Sequence, residues 1–201
     1  NMSVDVVSAG EFYTALKAGF PSEKVYFHGN NKSLDEIDFA IKNKIGYFIV
    51  DNLYELGNVN EIAGKYGIKQ KILLRITPGI DPHTYEAIST GKVDCKFGSA
   101  IETGQALEIV KEALSCNNLE LEGYHCHIGS MVFEHTPFSD SAKVMLKFIA
   151  DVKKETGYVA KTLNLGGGFG VRYVESNPEL NIDECIKMLA DVVKAECNRL
   201  D

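Results

Sequence analysis

Three glycines in a row, Gly166, Gly167 and Gly168, follow the apolar run "TLNL" at residues 162–165. Each glycine costs backbone entropy on folding, so a run of three weakens whatever element it joins. One glycine suffices for a tight turn. Three allow the main chain to approach a ligand closely and to turn several N–H groups towards it, which is how backbone cradles phosphate. The run is no Walker motif, since no Lys-Ser/Thr follows, and Gly166, Gly168 and Val171 do not satisfy G-x-G-x-x-G. On the residues alone, tight turn and phosphate cradle both stand.

A second cluster is "HCHIGS", His125 to Ser130. On a strand, His125 and His127 share one side and Cys126 takes the other. Two histidines at that spacing suit a metal pair, a ring contact to an aromatic ligand, or two satisfied core side chains. The metal reading lacks a third ligand at suggestive spacing. Ser130, just past Gly129, suits a hydroxyl donor to phosphate. Arg75 stands inside the apolar run "KILLRIT". A buried lone charge is very costly, so Arg75 is either half of a structural ion pair or the floor of an anion site. His28 and Asn30, in "HGNN", end a further apolar run. Lys96 reads most simply as a surface cation, and Asp51-Asn52 as a helix cap.

These residues share a position in the pattern. Short apolar runs alternate with helical periodicity: "VDVVS", "KVYFHG", "GYFIVD", "KILLRIT", "LEGYHCHIG" and "TLNLGGG" each precede a helix-like stretch. Ser33 with Glu36 three residues on forms a capping box. Strands this continuously apolar are covered on both faces, as in a parallel sheet wrapped by helices. Polar or glycine residues recur at the strand C-terminal ends: Ser8, His28, Asp51, Arg75, His127 and Gly166. An α/β barrel gathers all such ends around one mouth, whereas a doubly wound sheet gathers only those near its switch point. The expected fold is therefore a parallel (β/α)8 TIM-type barrel with about six of the eight units visible. With 201 residues starting just before a strand and stopping at a helix end, the sequence reads as a piece of a longer chain. The stretch from Pro78 to Asn118 breaks the rhythm, with turn residues first and helical character from Glu102; Tyr85, Ile88 and Phe97 argue for partial order in it.

Bulk composition narrows the partners. The net charge of −7 opposes non-specific binding to nucleic acid or an anionic membrane. No apolar run reaches the length of a membrane span, and the N-terminus lacks the pattern of a signal peptide. The cysteines, Cys95, Cys116, Cys126, Cys185 and Cys197, are odd in number and form no C-x-x-C pair, which suits idle thiols in a reducing cytoplasm.

Taken in order, "DVVSAGEFYTALKAGFP", "VYFHGNNKS", "DNLYEL", "LLRITPGI", "ISTGKVDCKFG", "HCHIGS" and "LNLGGGFGVRY" resemble the pyridoxal-phosphate decarboxylases with an alanine-racemase-like barrel. "HGNNK" and "ISTG…KFG" point to the diaminopimelate branch. The resemblance implies pyridoxal 5'-phosphate as cofactor, an amino-acid substrate, a lyase reaction late in lysine biosynthesis, and a homodimer as the full-length protein. It implies that His127 stacks on the pyridine ring and that Ser130, Gly166, Gly167 and Gly168 hold the phosphate. Arg75 and His28 are candidates for the wall of that site. It also implies that the family's covalent anchor lysine lies before Asn1. An "EPGR" segment and a C-terminal β domain with a catalytic cysteine would lie beyond Asp201. Residues 1–201 would then be a partial cofactor-binding domain, inactive alone and prone to self-association through open sheet edges near Val4 and Leu163. Ala9, Met131 and Cys95 depart from the family's usual glycine, glutamine and serine. The rival readings are an ornithine, arginine or carboxynorspermidine decarboxylase, and a non-catalytic barrel.

Overall fold

The computed structural model describes residues 2–81 and 96–200; Tyr85, Ile88 and Cys95, and with them the whole of "ISTGKVDC", lie outside the described residues. Strands β1 (Val4–Val6), β2 (Val25–Phe27), β3 (Tyr47–Val50), β4 (Gln70–Thr77), β5 (Ser99–Ala100), β6 (Leu119–His125) and β7 (Thr162–Asn164) alternate with helices. The helices are α1 (Ala9–Lys17), α2 (Leu34–Lys42), α3 (Leu53–Lys65), α4 (Gln105–Ser115), α5 (Thr136–Thr156) and α6 (Ile182–Leu200). Every pairing is parallel, in the order β1-β2-β3-β4-β6-β7, with the two-residue β5 branching from the end of β4.

Helix starts follow the local chemistry. The Ser8 side chain caps α1 by accepting from the Glu11 N–H, and Asn52 caps α3 by accepting from Glu55 N–H at 2.9 Å. The Ser33–Glu36 capping box is present in both halves. Glu36 Oε1 also accepts the Ala9 N–H at 3.1 Å, so one carboxylate serves the first turns of α1 and α2. Such donors have no partner within their own helix, which is why these residue types recur there. Helix α5, which carries proline in its first turn, ends on Gly157 in the left-handed conformation.

The helix-covered face of the sheet carries the main core, and Ile49 and Leu73 are buried on the other face. Phe27, Phe48, Ile72, Leu74 and Tyr124 from the strands pack with Phe12, Ile37, Leu56, Val59, Ile109 and Met145 from the helices, all essentially without solvent exposure. Burying side chains of this size contributes about 2 kcal/mol each. The sheet also curls. Strands β2 and β6 are three positions apart, which in a flat sheet separates them by about 14 Å. Yet the rings of His28, just after β2, and His125, at the end of β6, have centroids 4.8 Å apart. Only a barrel-like curve brings those strand ends together. A bulge in β6 assists: the register slips after the Ile72–Leu121 pair, so that Leu73 faces Gly123 and Arg75 faces His125. Bulges of this kind re-aim side chains near functional sites.

Two elements differ from the sequence reading. The strand in "LEGYHCHIG" stops at His125, so His127 belongs to the loop beyond it. The little strand β5 follows no hydrophobic pattern; the carbonyl of Thr77 accepts the Ile101 N–H at 3.2 Å and extends its pairing.

Candidate active site

The glycine loop leaves β7 and turns back on the loop after β6. The Gly166 N–H donates to Asn164 Oδ1 at 2.8 Å, closing a local turn. Val132 N–H donates to the Gly168 carbonyl at 2.9 Å, and Gly170 N–H donates to the Val132 carbonyl at 2.8 Å. Beneath the loop, Phe169 stacks on Phe138 at 4.5 Å between centroids, in a small apolar cluster with Ile128, Val132 and Cys185. The three glycines are not equivalent. Gly166 and Gly168 both have positive φ, and a Cβ would press the Cys126 carbonyl at the first and overlap the Gly129 carbonyl at the second. Those two are glycine because the protein's own backbone fills the space. Gly167 has nothing within 4 Å of the position a Cβ would take and lines an open cavity.

That cavity, about 490 Å³, is bounded by Asp5, Val7, His28, Gly29, Arg75, Phe97, His125, His127, Ser130, Gly166 and Gly167. Six of the seven residues singled out from the sequence therefore meet at one place. Gly168 stands behind the wall, against Gly129 and the His127 ring. Ser130 is exposed at the rim, and His127 is partly covered.

The charges are arranged in layers. Arg75 lies over the Phe97 ring, 4.3 Å from its centroid, and its Nη1 is 3.9 Å from Asp51 Oδ1. Asp51 Oδ2 accepts the Gly98 N–H at 3.1 Å. Thus Asp51 does not cap α3, which Asn52 does; it is buried, and burial raises its carboxyl above the usual range although Gly98 and Arg75 pull it back. Arg75 is thus ion-paired, and it also forms part of the cavity wall. Burial, then the Arg75 charge and His28, lower His127 to about 4. Burial pushes His125 well below the usual histidine value, with His28 and Arg75 adding to it. Both rings are therefore neutral at pH 7. His28 Nε2 lies 3.3 Å from Asp5 Oδ2, off the line of a hydrogen bond, and His125 Nδ1 is buried without a hydrogen-bond partner among the described residues. Lys96 is exposed, as the sequence suggests, and lies 5.1 Å from the Phe97 centroid, while its carbonyl accepts from Asn30 Nδ2 at 3.2 Å.

Sequence reasoning missed Asp5, Phe97 and the buried pair Lys32–Glu55, whose Nζ–Oε1 distance is 2.6 Å. Asp5 sits mid-strand where polarity alternates, and Phe97 reads as ordinary apolar sequence. Lys32 enters the sequence reading only as the last residue of "HGNNK", with no role of its own, although it stands between a strand end and a capping box.

A wall with a cavity-facing glycine, a rim hydroxyl, a neutral imidazole and a guanidinium suits a flat aromatic ring bearing an anionic group. The comparisons agree. Residues 2–201 match the family described as "Pyridoxal-dependent decarboxylase, pyridoxal binding domain". The diaminopimelate decarboxylase of Bacillus methanolicus is 44% identical over 195 residues, which is 97% of this chain and 45% of that protein. The crystal structure of diaminopimelate decarboxylase from M. jannaschii in complex with L-lysine superposes with a TM-score of 0.84 at 36% identity, covering 98% of this chain and 44% of that one. The Helicobacter pylori enzyme, also complexed with L-lysine, gives 0.87 at 33% identity, covering 96% and 48%. The chain thus spans a little under half the length of the relatives it matches. With its curled parallel sheet, its cavity at the strand ends and a match along nearly its whole length, the chain belongs to the pyridoxal-binding domain family of the pyridoxal-dependent decarboxylases.

Proposed function

We propose that the full-length protein carrying this chain decarboxylates meso-2,6-diaminopimelate to L-lysine and carbon dioxide, and that residues 2–200 supply one side of its cofactor cavity. The observation that carries this reading is the convergence of His127, Ser130, Gly167 and Arg75 on one cavity at the strand C-terminal ends. The identity of the relatives favours diaminopimelate as substrate.

Pyridoxal 5'-phosphate, when bound, supplies an electron sink for the charge left when carbon dioxide departs. The protein's part is binding and electrostatics. Gly167 lets the main chain approach the phosphate, and Ser130 Oγ at the rim offers a donor to it. Gly166 and Gly168 shape the loop that presents Gly167. The His127 imidazole, uncharged above about pH 4, can lie flat on a cationic ring without repulsion. Arg75, held by Phe97 and Asp51, keeps a positive potential in a wall that must receive anions. His28 closes the wall against His125.

The chain spans 45% of its relatives, and the rest of the machinery is expected elsewhere in the parent protein. The 201-residue chain alone should bind the cofactor weakly and lack activity. A cytoplasmic setting is part of this proposal. Among the described residues no helix is long and apolar enough to cross a membrane. A homodimer is the expected assembly of the full-length protein.

The test is carbon dioxide release by the purified full-length protein, with diaminopimelate, ornithine, arginine and lysine offered separately. Preference for diaminopimelate, with L-lysine as product, is expected. Preference for another of the four, or no release from any with cofactor present, would overturn the reading.

A further inference from the structure

Lys32 is the most deeply buried lysine among the described residues, and it does not touch the cavity. Its ammonium spends all three protons inside the protein. It donates to the Gly29 carbonyl at 2.7 Å, the Ile49 carbonyl at 2.9 Å and Glu55 Oε1 at 2.6 Å. Glu55 Oε2 accepts the Asp51 N–H at 3.0 Å, and Asp51 faces Arg75. Three pieces of the site thus hang on one nitrogen. Gly29 follows His28 in the loop after β2; Ile49 lies near the end of β3; Glu55 holds the backbone of Asp51 from the first turn of α3.

Stability is a poor reason for such an arrangement. Desolvating two ions costs about as much as their attraction returns, and a well-packed apolar pair is often as good or better. What an apolar pair cannot do is fix two carbonyl groups from different strand ends at a set spacing. Both ends matter here: the first carries His28 and Gly29 of the cavity wall, and the second leads to Asp51, the partner of Arg75.

We propose that Lys32 is a positioning residue: its ammonium clamps the loop after β2 to the end of β3 and so sets His28 and Arg75 in the cofactor cavity. The proposal rests on the cofactor reading for its functional consequence, and on hydrogen bonds alone for its structural one.

The test uses the full-length protein in three forms: wild type, Glu55→Gln, and the double variant Lys32→Met with Glu55→Gln. The double variant removes both buried charges and keeps an amide oxygen for the Asp51 N–H. Three quantities are measured: melting temperature, pyridoxal phosphate affinity by equilibrium dialysis, and the His28 ring signals by NMR without cofactor. Glu55→Gln keeps the Lys32 bonds to Gly29 and Ile49, so its His28 signals and affinity stay close to wild type. The double variant still folds but melts below wild type, because the Gly29 and Ile49 carbonyls lose their donor; its His28 signals move or broaden and its affinity falls about tenfold. A folded double variant with wild-type His28 signals and affinity overturns the proposal. So does a folded Glu55→Gln variant whose His28 signals move and whose affinity falls about tenfold against wild type, an arm read against wild type alone and so decisive even if the double variant fails to fold. If wild type does not hold the cofactor, the cofactor reading falls, and the His28 signals still test the clamp.

Discussion

At the scale of single residues, the proposed cofactor contact rests on an uncharged His127. A protonated imidazole would repel both Arg75 and a cationic ring, so burial and the nearby guanidinium work in the same direction. This choice has a consequence for stability. The folded protein holds the His127 proton less tightly than the unfolded chain does, with a folded pKa of about 4 against 6.5. Between those values the unfolded state binds more protons, so stability rises with pH across the window. The contribution is complete above pH 6.5 and is lost as pH falls towards 4, and it amounts to about 3 kcal/mol at most. His125, lowered in the same sense, adds to the slope. Urea titrations from pH 4 to 7 should show this rise, and His127→Gln should flatten it. An unchanged slope in the variant would contradict the assignment.

At the scale of elements, much of the site was legible because its signals are local. The capping box at Ser33 and Glu36 follows from residue types three apart, and it forms as written. Apolar runs followed by polar ends marked β1 to β4, β6 and β7, since a parallel strand covered on both faces has few alternatives. What was not legible depends on contacts far apart in sequence. Strand β5 exists only because the end of β4 offers it a partner. The bulge that brings His125 level with Arg75 has no pattern of its own. The Lys32–Glu55 pair joins residues 23 apart, and the acidic partner sits in a helix whose periodicity explains it equally well as a surface residue. The glycine run was read as a single device, whereas only Gly167 faces the cavity without being required by packing. The loop therefore separates folding from binding. Gly168→Ala forces a side chain onto the Gly129 carbonyl at positive φ and should cost roughly 3 kcal/mol or more in a denaturant titration. Gly167→Ala meets open space and should leave stability within about 0.5 kcal/mol of wild type. Equal losses at the two positions would contradict that division.

At the scale of the whole molecule, the curved sheet gathers side chains from both of its halves around one mouth, which is why residues 100 apart in sequence can line one cavity. Among the described residues, β1 pairs only with β2 and β7 only with β6. Unpaired parallel edges of this kind recruit other strands. Light scattering on the purified 201-residue chain should therefore report species larger than a monomer, with a share that grows with concentration. A single monomeric species at all concentrations would contradict this.

The central claim is that the glycine loop and His127 together hold the phosphate and ring of one cofactor. The most direct measurement is the 31P resonance of pyridoxal phosphate titrated with the full-length protein and with its Gly167→Ala variant. The account predicts a shifted, saturable signal with wild type and an affinity weakened about tenfold in a variant of wild-type stability. A phosphorus signal that ignores the wild-type protein, or one that responds identically to both proteins, would contradict it.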